Sequence, residues 1–391
     1  MEVQIREEVS ADLLAEIAKI KVIGVGGGGS NMVNYLMQTD IDQRIELIVA
    51  NTDAQALMKS PAPIKIQLGN NITKGLGAGM KPEVGEAAAN ESYDDIVSLL
   101  QGTDLVFVSA GMGGGTGTGA APIIAKAAKA VGALTVGVVT KPFKYEGGKR
   151  AKLAEAGIER LKAECDSIIV ILNDKLSSMI DRSQGNKAVY RIVDSVLAGA
   201  VVGVSNIILQ VGESDINVDF ADMRTAMEHK GTALMGMGEA NNEVSAFDAI
   251  RNAIESPLFD NLSINGARGL IAHFHIHPDY SFYEIQEAMD KVQEMLDENA
   301  DVFFGTYSDP EMPKDSFEVT VVVTGLESEL KLSQNPRTSS APVSAPSAPS
   351  APVPAPTPKK IITQLGRVSG LVSGGDINDL DSPSYTRMQA D

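Results

Sequence analysis

The sequence predicts an α/β fold: strands and helices alternating around a parallel sheet, then a smaller α+β unit, then an extended tail. Three observations carry this reading. Apolar, β-favouring segments at 20–23 and 104–109 each run into a glycine-rich loop and then into a helical pattern, the order of strand, loop and helix in a crossover unit. Further on, at 268–325, two strand-like runs flank one helical run. From 332 to 358 the chain is mostly Pro, Ala and Ser, with no aromatic and almost no charge, and it cannot bury enough apolar surface to offset the cost of ordering.

Composition sets the frame. At 391 residues, 43% of them hydrophobic, the chain can fill two packed cores and still leave a tail. A net charge of -18 argues against free nucleic acid as a partner, although backbone N–H groups can still gather an anion locally. The excess acid lies in the first 330 residues, because 331–391 hold six basic and four acidic side chains. A single cysteine, Cys165, allows no internal disulfide and fits a reducing cytosol. The acidic N-terminus, MEVQIREEVSADLL, lacks the layout of a signal peptide, so a cytoplasmic location is expected. The most apolar stretch, 196–211, is interrupted by Ser205 and Asn206 and is short for a bilayer span, so membrane contact is expected through a partner and not by direct insertion.

In chain order, the strand at 20–23 enters Gly24-Val25-Gly26-Gly27-Gly28-Gly29-Ser30-Asn31, and a helical pattern follows at 32–37. Its G-x-G-x-x-G spacing matches the dinucleotide fingerprint of Rossmann-like domains. The next strand, from Glu46, ends in Asn51-Thr52-Asp53, with the acid near where a ribose-binding carboxylate would sit. A small-residue turn, Gly75-Leu76-Gly77-Ala78-Gly79, precedes a helix over 83–100. After the strand at 104–109 comes the longest loop: Gly111, Met112, Gly113, Gly114, Gly115, Thr116, Gly117, Thr118 and Gly119, followed by a helix over 120–131 with Pro122 in its first turn.

Such a loop suits a phosphate chain. Without Cβ atoms the backbone crowds a ligand, successive N–H groups share one concavity, and the helix N-terminus adds about half a positive charge. Thr116 and Thr118 would reach the same anion if the loop were extended. A glycine run alone reads equally as a flexible surface loop, and one G-x-G-x-x-G is a weak signal. Two such loops at the carboxyl ends of parallel strands face one crevice and can share one ligand. No G-x-x-x-x-G-K-[ST] sequence occurs, so backbone and hydroxyls must hold the phosphate. Strands at 134–140 and 167–172 extend the sheet.

The second unit runs from about 219 to 326, with strands at 268–277 and 316–325 and a helix over 282–298 opened by a Ser281/Glu284 capping box. His273, His275 and His277 alternate and read as polar rings on a solvated strand face, without the further ligand that a metal site requires.

Taken together, the glycine loops, Asn51-Thr52-Asp53-Ala54, GMGGGTGTG, TKPFKYEGGKR at 140–150, NDKL at 173–176 and NVDFAD at 217–222 resemble the FtsZ family of tubulin-like division GTPases over about 21–326 and again at the C-terminus. The resemblance implies a tubulin-like, Rossmann-like GTP-binding domain at 19–185 behind an N-terminal extension at 1–18. A long central helix at 186–210 and a smaller C-terminal α+β domain at 211–328 would follow. A disordered linker at 329–375 would lead to a partner-binding peptide at 376–391. It implies GTP/GDP as the nucleotide, with Mg²⁺ bound mainly through its phosphates. Residues Gly26 to Asn31 would lie under the α- and β-phosphates, Gly111 and Gly113 to Gly119 around the phosphate chain, and Ala78 and Gly79 at the γ-phosphate. Asn51 and Asp53 fall among the nucleotide contacts. Glu146 and Arg150 would contact ribose and phosphate, and Asn173, Tyr190 and Asp194 the guanine, with Tyr190 standing where Phe is usual in the family.

From the residues alone Asp219 reads as a helix N-cap. The resemblance implies instead that Asn217, Asp219 and Asp222 complete the nucleotide site of the next subunit in a head-to-tail homopolymer and act there on the attacking water. Ser214 and Asp215 precede this loop where relatives more often carry apolar residues. The implied setting is the cytokinetic ring at midcell, beneath the inner membrane. There, residues 380–391 would bind membrane-anchoring division proteins and assembly regulators. A nucleotide-dependent oxidoreductase is the alternative reading, but it has no use for the second glycine loop or for exposed acids after the central helix.

Overall fold

The computed structural model describes residues 18–39, 41–176, 185–210, 212, 215–229, 231–240, 244–254 and 267–326. The chain divides into two compact units, Met1–Gln334 and Asn335–Asp391, and every described residue belongs to the first. The expected linker and C-terminal peptide lie outside the described residues, as does the N-terminal extension up to residue 17.

The nucleotide-side half alternates as expected: β1 (Ile20–Val25), α1 (Gly26–Leu36), β2 (Ile45–Asn51), α2 (Ala54–Lys59), β3 (Ile64–Gln67), α3 (Asn70–Thr73), α4 (Pro82–Glu91), α5 (Tyr93–Leu100), β4 (Leu105–Gly111), α6 (Thr116–Ala130), β5 (Leu134–Lys141), α7 (Gly148–Glu164), β6 (Ser167–Leu172) and the short α8 (Asn173–Leu176). The long helix α9 (Asn186–Leu209) leads to α10 (Phe220–Met227), β7 (Gly231–Ala240), α11 (Ala246–Ile254), β8 (Gly269–Ile276), α12 (Phe282–Gln293), β9 (Asp301–Ser308) and β10 (Phe317–Leu326).

All ten strands form one sheet in the order β3-β2-β1-β4-β5-β6-β7-β10-β8-β9. From β3 to β7 the neighbours run parallel, and β6 joins β7 through the pairs Ser167↔Gly231, Ile168↔Thr232 and Ile169↔Ala233. Strand β10 is antiparallel to both β7 and β8. Strands β4 and β5 are buried along almost their whole length, which is why they read as unbroken apolar runs covered on both faces.

Helices α1, α9 and α10 cover one face. Met32 and Leu36 of α1, Leu197, Val201 and Val204 of α9, and Met223 and Met227 of α10 share a core with Ile271 of β8 and Val322 of β10. On the other face α4, α5, α6 and α7 pack over Ile23, Val106 and Val108. A third cluster seats α11 and α12 on β7, β8 and β10. Helix α9 is long and apolar enough for a membrane span, but 61% of that window is buried inside the fold, so its apolarity is that of a core helix.

Several elements differ from the sequence reading. Helix α1 starts at Gly26 and α6 at Thr116, so both take up residues read as loop. The helix expected over 83–100 is two helices meeting at Ser92, whose hydroxyl accepts from the Gly69 N–H at 3.2 Å. Ser281 stands at the N-cap of α12 without a side-chain cap bond. Glu284 accepts instead from the Tyr280 hydroxyl at 2.8 Å, so the capping box is not made.

The histidines do not share a solvated face. His273 is 5% exposed, and desolvation pulls its imidazole down to about 4. His275 meets Asp309 at 3.1 Å, and His277 lies beyond the end of β8, its Nδ1 accepting from the Asp279 N–H.

Candidate functional site

At the carboxyl ends of β1, β4, β5 and β6 the sheet opens into a cavity of about 420 Å³, where a ligand is expected in a parallel sheet. Gly27, Gly28 and Asn31 of α1 line it, together with Gly111, Gly114, Gly115, Thr116 and Gly117 from the β4–α6 connection. The two glycine stretches touch. A Cβ at Gly28 would lie 2.9 Å from Gly111 Cα, and one at Gly26, where φ is +68°, would lie 2.8 Å from Gly117 N. Both α1 and α6 begin at this cavity, so two helix N-termini present unpaired N–H groups to it.

Thr116 and Thr118 do not reach one anion side by side. Because α6 is already helical at Thr116, residues two apart point about 200° apart around its axis. Thr116 lines the cavity, with its hydroxyl 2.6 Å from that of Thr52. Thr118 is buried and accepts from the Gly113 N–H at 2.9 Å, bracing the loop at a residue whose φ is +95°.

Midway along the cavity stand Glu146 and Arg150, which form an ion pair with each other. The other oxygen of Glu146 accepts from the Phe143 N–H at 3.0 Å, so the carboxylate is held from both sides. At the far end α9 contributes Tyr190, Val193, Asp194 and Leu197 and α8 contributes Asn173, while Thr140 of β5 lies beside Gly111. Tyr190 sits edge-on to Phe143, which in turn stacks on Tyr145. The hydrogen bond between the Tyr145 and Tyr190 hydroxyls, at 3.3 Å, heads the causes that push the Tyr190 phenol up to about 12. Burial alone lifts the Asp194 carboxyl to about 6. Asn173 is buried with its Oδ1 unpartnered among the described residues, which leaves hydrogen-bonding capacity for a ligand.

Other residues singled out in the sequence surround the cavity without lining it. Gly29 and Ser30 lie behind its floor, buried in α1. Gly119 packs on α4, where a Cβ would lie 1.9 Å from Pro82 O. Asn51 Oδ1 accepts from the Asp53 N–H, and Asp53 Oδ1 caps α2 by accepting from the N–H groups of Gln55 and Ala56. Ala78 and Gly79 belong to the turn against Gly115, where a Cβ would meet Ala78 Cβ at 2.9 Å.

Asn217, Asp219 and Asp222 are on a different element altogether, before and within the first turn of α10, and none of them lines the cavity. Asp219 is the N-cap, accepting from the Asp222 N–H at 2.7 Å. Sequence reasoning missed Thr52, Thr140, Val193 and Leu197. Thr140 lies near the carboxyl end of a parallel strand, a position that marks it as a wall residue.

Residues 19–181 match the model of the Tubulin/FtsZ family GTPase domain, and residues 231–327 that of the FtsZ family C-terminal domain. The cell division protein FtsZ of Helicobacter pylori, from strain J99 and from strain 26695 alike, is 49% identical over 321 residues, covering 82% of this chain and 83% of the relative. Among solved structures, an empty FtsZ dimer from M. jannaschii superposes with a TM-score of 0.72 at 40% identity, over 80% of this chain and 90% of that one. CetZ2 from Haloferax volcanii, a GTPγS-bound protofilament, matches with a TM-score of 0.67 at 21% identity, over 81% and 95% of the two chains, a likeness of fold.

Proposed function

The chain belongs to the FtsZ family of tubulin-like GTPases, and from that premise we propose how its cavity binds and turns over GTP. It is a self-assembling cell-division GTPase. Nothing in its fold or its relatives supports the oxidoreductase alternative.

Guanine occupies the end of the cavity formed by α9. Its N1–H and exocyclic amine are adjacent donors, and the Asp194 carboxylate accepts both, a pair that adenine does not offer. Asn173 supplies a further hydrogen bond, and Tyr190 packs against the ring. Ribose and phosphate pass Glu146 and Arg150. The phosphate chain then rests on the N–H groups of Gly27, Gly28 and Gly114 to Gly117, with the Thr116 hydroxyl beside it and the Ala78–Gly79 turn at its end.

Among the described lining residues Arg150 is the only lysine or arginine, and it is already paired with Glu146, so phosphate charge is left for a metal to offset. Mg²⁺ bound with the nucleotide would supply that charge. Hydrolysis further needs a group to orient and polarise water. Among the described lining residues the two carboxylates are committed, Asp194 to the base and Glu146 to Arg150. Asn217, Asp219 and Asp222 lie outside it, and in a head-to-tail filament they reach the γ-phosphate of the adjacent subunit. That separation of the phosphate cradle from the polar side chains at the start of α10 is the observation that carries the reading.

This reading divides the chain into a GTP-binding domain at 19–185, a central helix at 186–210, a C-terminal domain at 211–328, a linker at 329–375 and a docking peptide at 376–391. The filaments form in the cytoplasm at the division site, where residues 380–391 engage membrane-anchoring proteins. The decisive measurement is GTP hydrolysis per subunit against protein concentration. It should be near zero below an assembly threshold and rise above it, whereas a rate per subunit independent of concentration overturns the shared site.

A further inference from the structure

The segment that carries Asn217 into α10 does not hang free. Strand β9 is the last strand of the sheet, and residues 215–218 lie along its open edge. Thr306 N–H donates to the Ile216 carbonyl at 2.8 Å, and Ile216 N–H donates back to the Thr306 hydroxyl at 3.0 Å. Two residues on, the Ser308 N–H donates to Asp215 Oδ2 at 3.0 Å and the Ser308 hydroxyl to Asp215 Oδ1 at 2.6 Å. Both carboxylate oxygens are therefore engaged by one residue.

Gly305 lets the segment lie close. A Cβ there would sit 2.9 Å from the Ile216 carbonyl oxygen and from Val218 Cγ2. Val218 is buried in the core. Asn217 and Asp219, on either side of it, are exposed, so the alternation that buries Val218 turns its neighbours outward. Upstream, the guanidinium of Arg44, gripped by Asp42, donates to the Leu209 carbonyl at 2.9 Å and fixes the end of α9.

We propose that Asp215, clasping Ser308 on β9, is a positioning residue for hydrolysis: it fixes the register of residues 216–219 on the sheet edge and so aims Asn217, Asp219 and Asp222 at the neighbouring subunit's nucleotide. Asp215 touches no substrate. It acts through the backbone of the segment, and in a divided site a displacement of about 1 Å costs up to about a hundredfold in rate. The inference rests on the shared-site reading above, and the experiment separates the two.

The test compares Asp215→Ala, Asp215→Asn, Ser308→Ala and Asp222→Ala with the parent, above the assembly threshold. It measures GTP binding by the unassembled chain, pelleting of filaments, KM, kcat and thermal unfolding. Asp215→Ala should bind GTP and pellet like the parent and keep KM within about twofold, while kcat falls about tenfold. Asp215→Asn, which still accepts from the Ser308 N–H, should recover most of kcat. Ser308→Ala, the gentler change, should lie between them and answers the question if Asp215→Ala does not fold.

A parental kcat with a lowered Tm in both Asp215→Ala and Ser308→Ala would make the clasp merely structural and overturn the inference. A matching rise in KM or loss of GTP binding would also overturn it, since the effect would then run through the chain's own pocket. If Asp222→Ala retains parental kcat, it is the shared-site reading that fails. If Asp222→Ala loses kcat and Asp215→Ala does not, the positioning role alone fails.

Discussion

Burial lifts the Asp194 carboxyl to about 6 in the folded chain, against an ordinary value near 3.8, so at neutral pH the cavity wall carries a charge that it disfavours. Between those two values the folded chain binds more protons than the unfolded one, and stability therefore declines as pH rises through that window. Asp194→Asn removes the penalty. It should raise Tm at pH 7 by the equivalent of about 1 kcal/mol or less after allowance for solvent screening, with no gain at pH 4. Unfolding by calorimetry at the two pH values checks this, and an equal change at both removes the argument. In the parent, GTP affinity should fall as pH drops below about 6, because the protonated acid no longer accepts both guanine donors. The same Asn presents an amine where xanthine carries a carbonyl, so preference should move from GTP to XTP, read by competition binding. The guanine contact follows from the family resemblance, but the burial that shifts the Asp194 carboxyl does not follow from the residues alone. Tyr190 and Asp194 are merely four apart on a helix, and only the docking of α9 on the sheet brings them opposite Asn173.

Glycines decide which elements can be read locally. Strands β1, β4, β5 and β6 stand out because both faces are buried, whereas in β7, GTALMGMGEA, glycines interrupt the apolar run and no element is expected there from the sequence. Its Gly236 and Gly238 are there for packing, since Cβ atoms at those positions would lie 1.7 Å from Ala253 O and 2.1 Å from Ala249 O of α11. The loop at 111–119 mixes two kinds of glycine that the sequence cannot separate. Gly114 has nothing within 4 Å of a Cβ and lines the cavity, while Gly119 lies between α6 and α4. Gly119→Ala should therefore destabilise the chain by about 1–3 kcal/mol through overpacking. Gly114→Ala should leave Tm near parental and weaken nucleotide binding. Thermal unfolding beside GTP titration checks the pair, and the reverse pattern would mean that the loop has been assigned to the wrong roles.

At the scale of the whole molecule, the cavity and the acids of α10 are separate surfaces of one chain, and contacts between unlike surfaces repeat head to tail. Two variants test whether one surface works for the other. Asp222→Ala keeps a GTP pocket but loses an acid, and Asp194→Asn keeps the acids but takes XTP in its pocket. With both nucleotides present, both chains are loaded and can assemble together. GTP is then bound only by Asp222→Ala subunits, whose own segment lacks Asp222, so it can be hydrolysed only where an Asp194→Asn neighbour presents its intact acids. In an equimolar, randomly mixed filament half the pockets hold GTP and half of those face an intact segment, which gives about a quarter of the parent's GTP turnover. Each variant alone should hydrolyse almost no GTP. Released phosphate from γ-labelled GTP is the readout, with both proteins shown by pelleting to share filaments. If GTP stays intact in those mixed filaments, the acids serve their own subunit and the divided site is wrong.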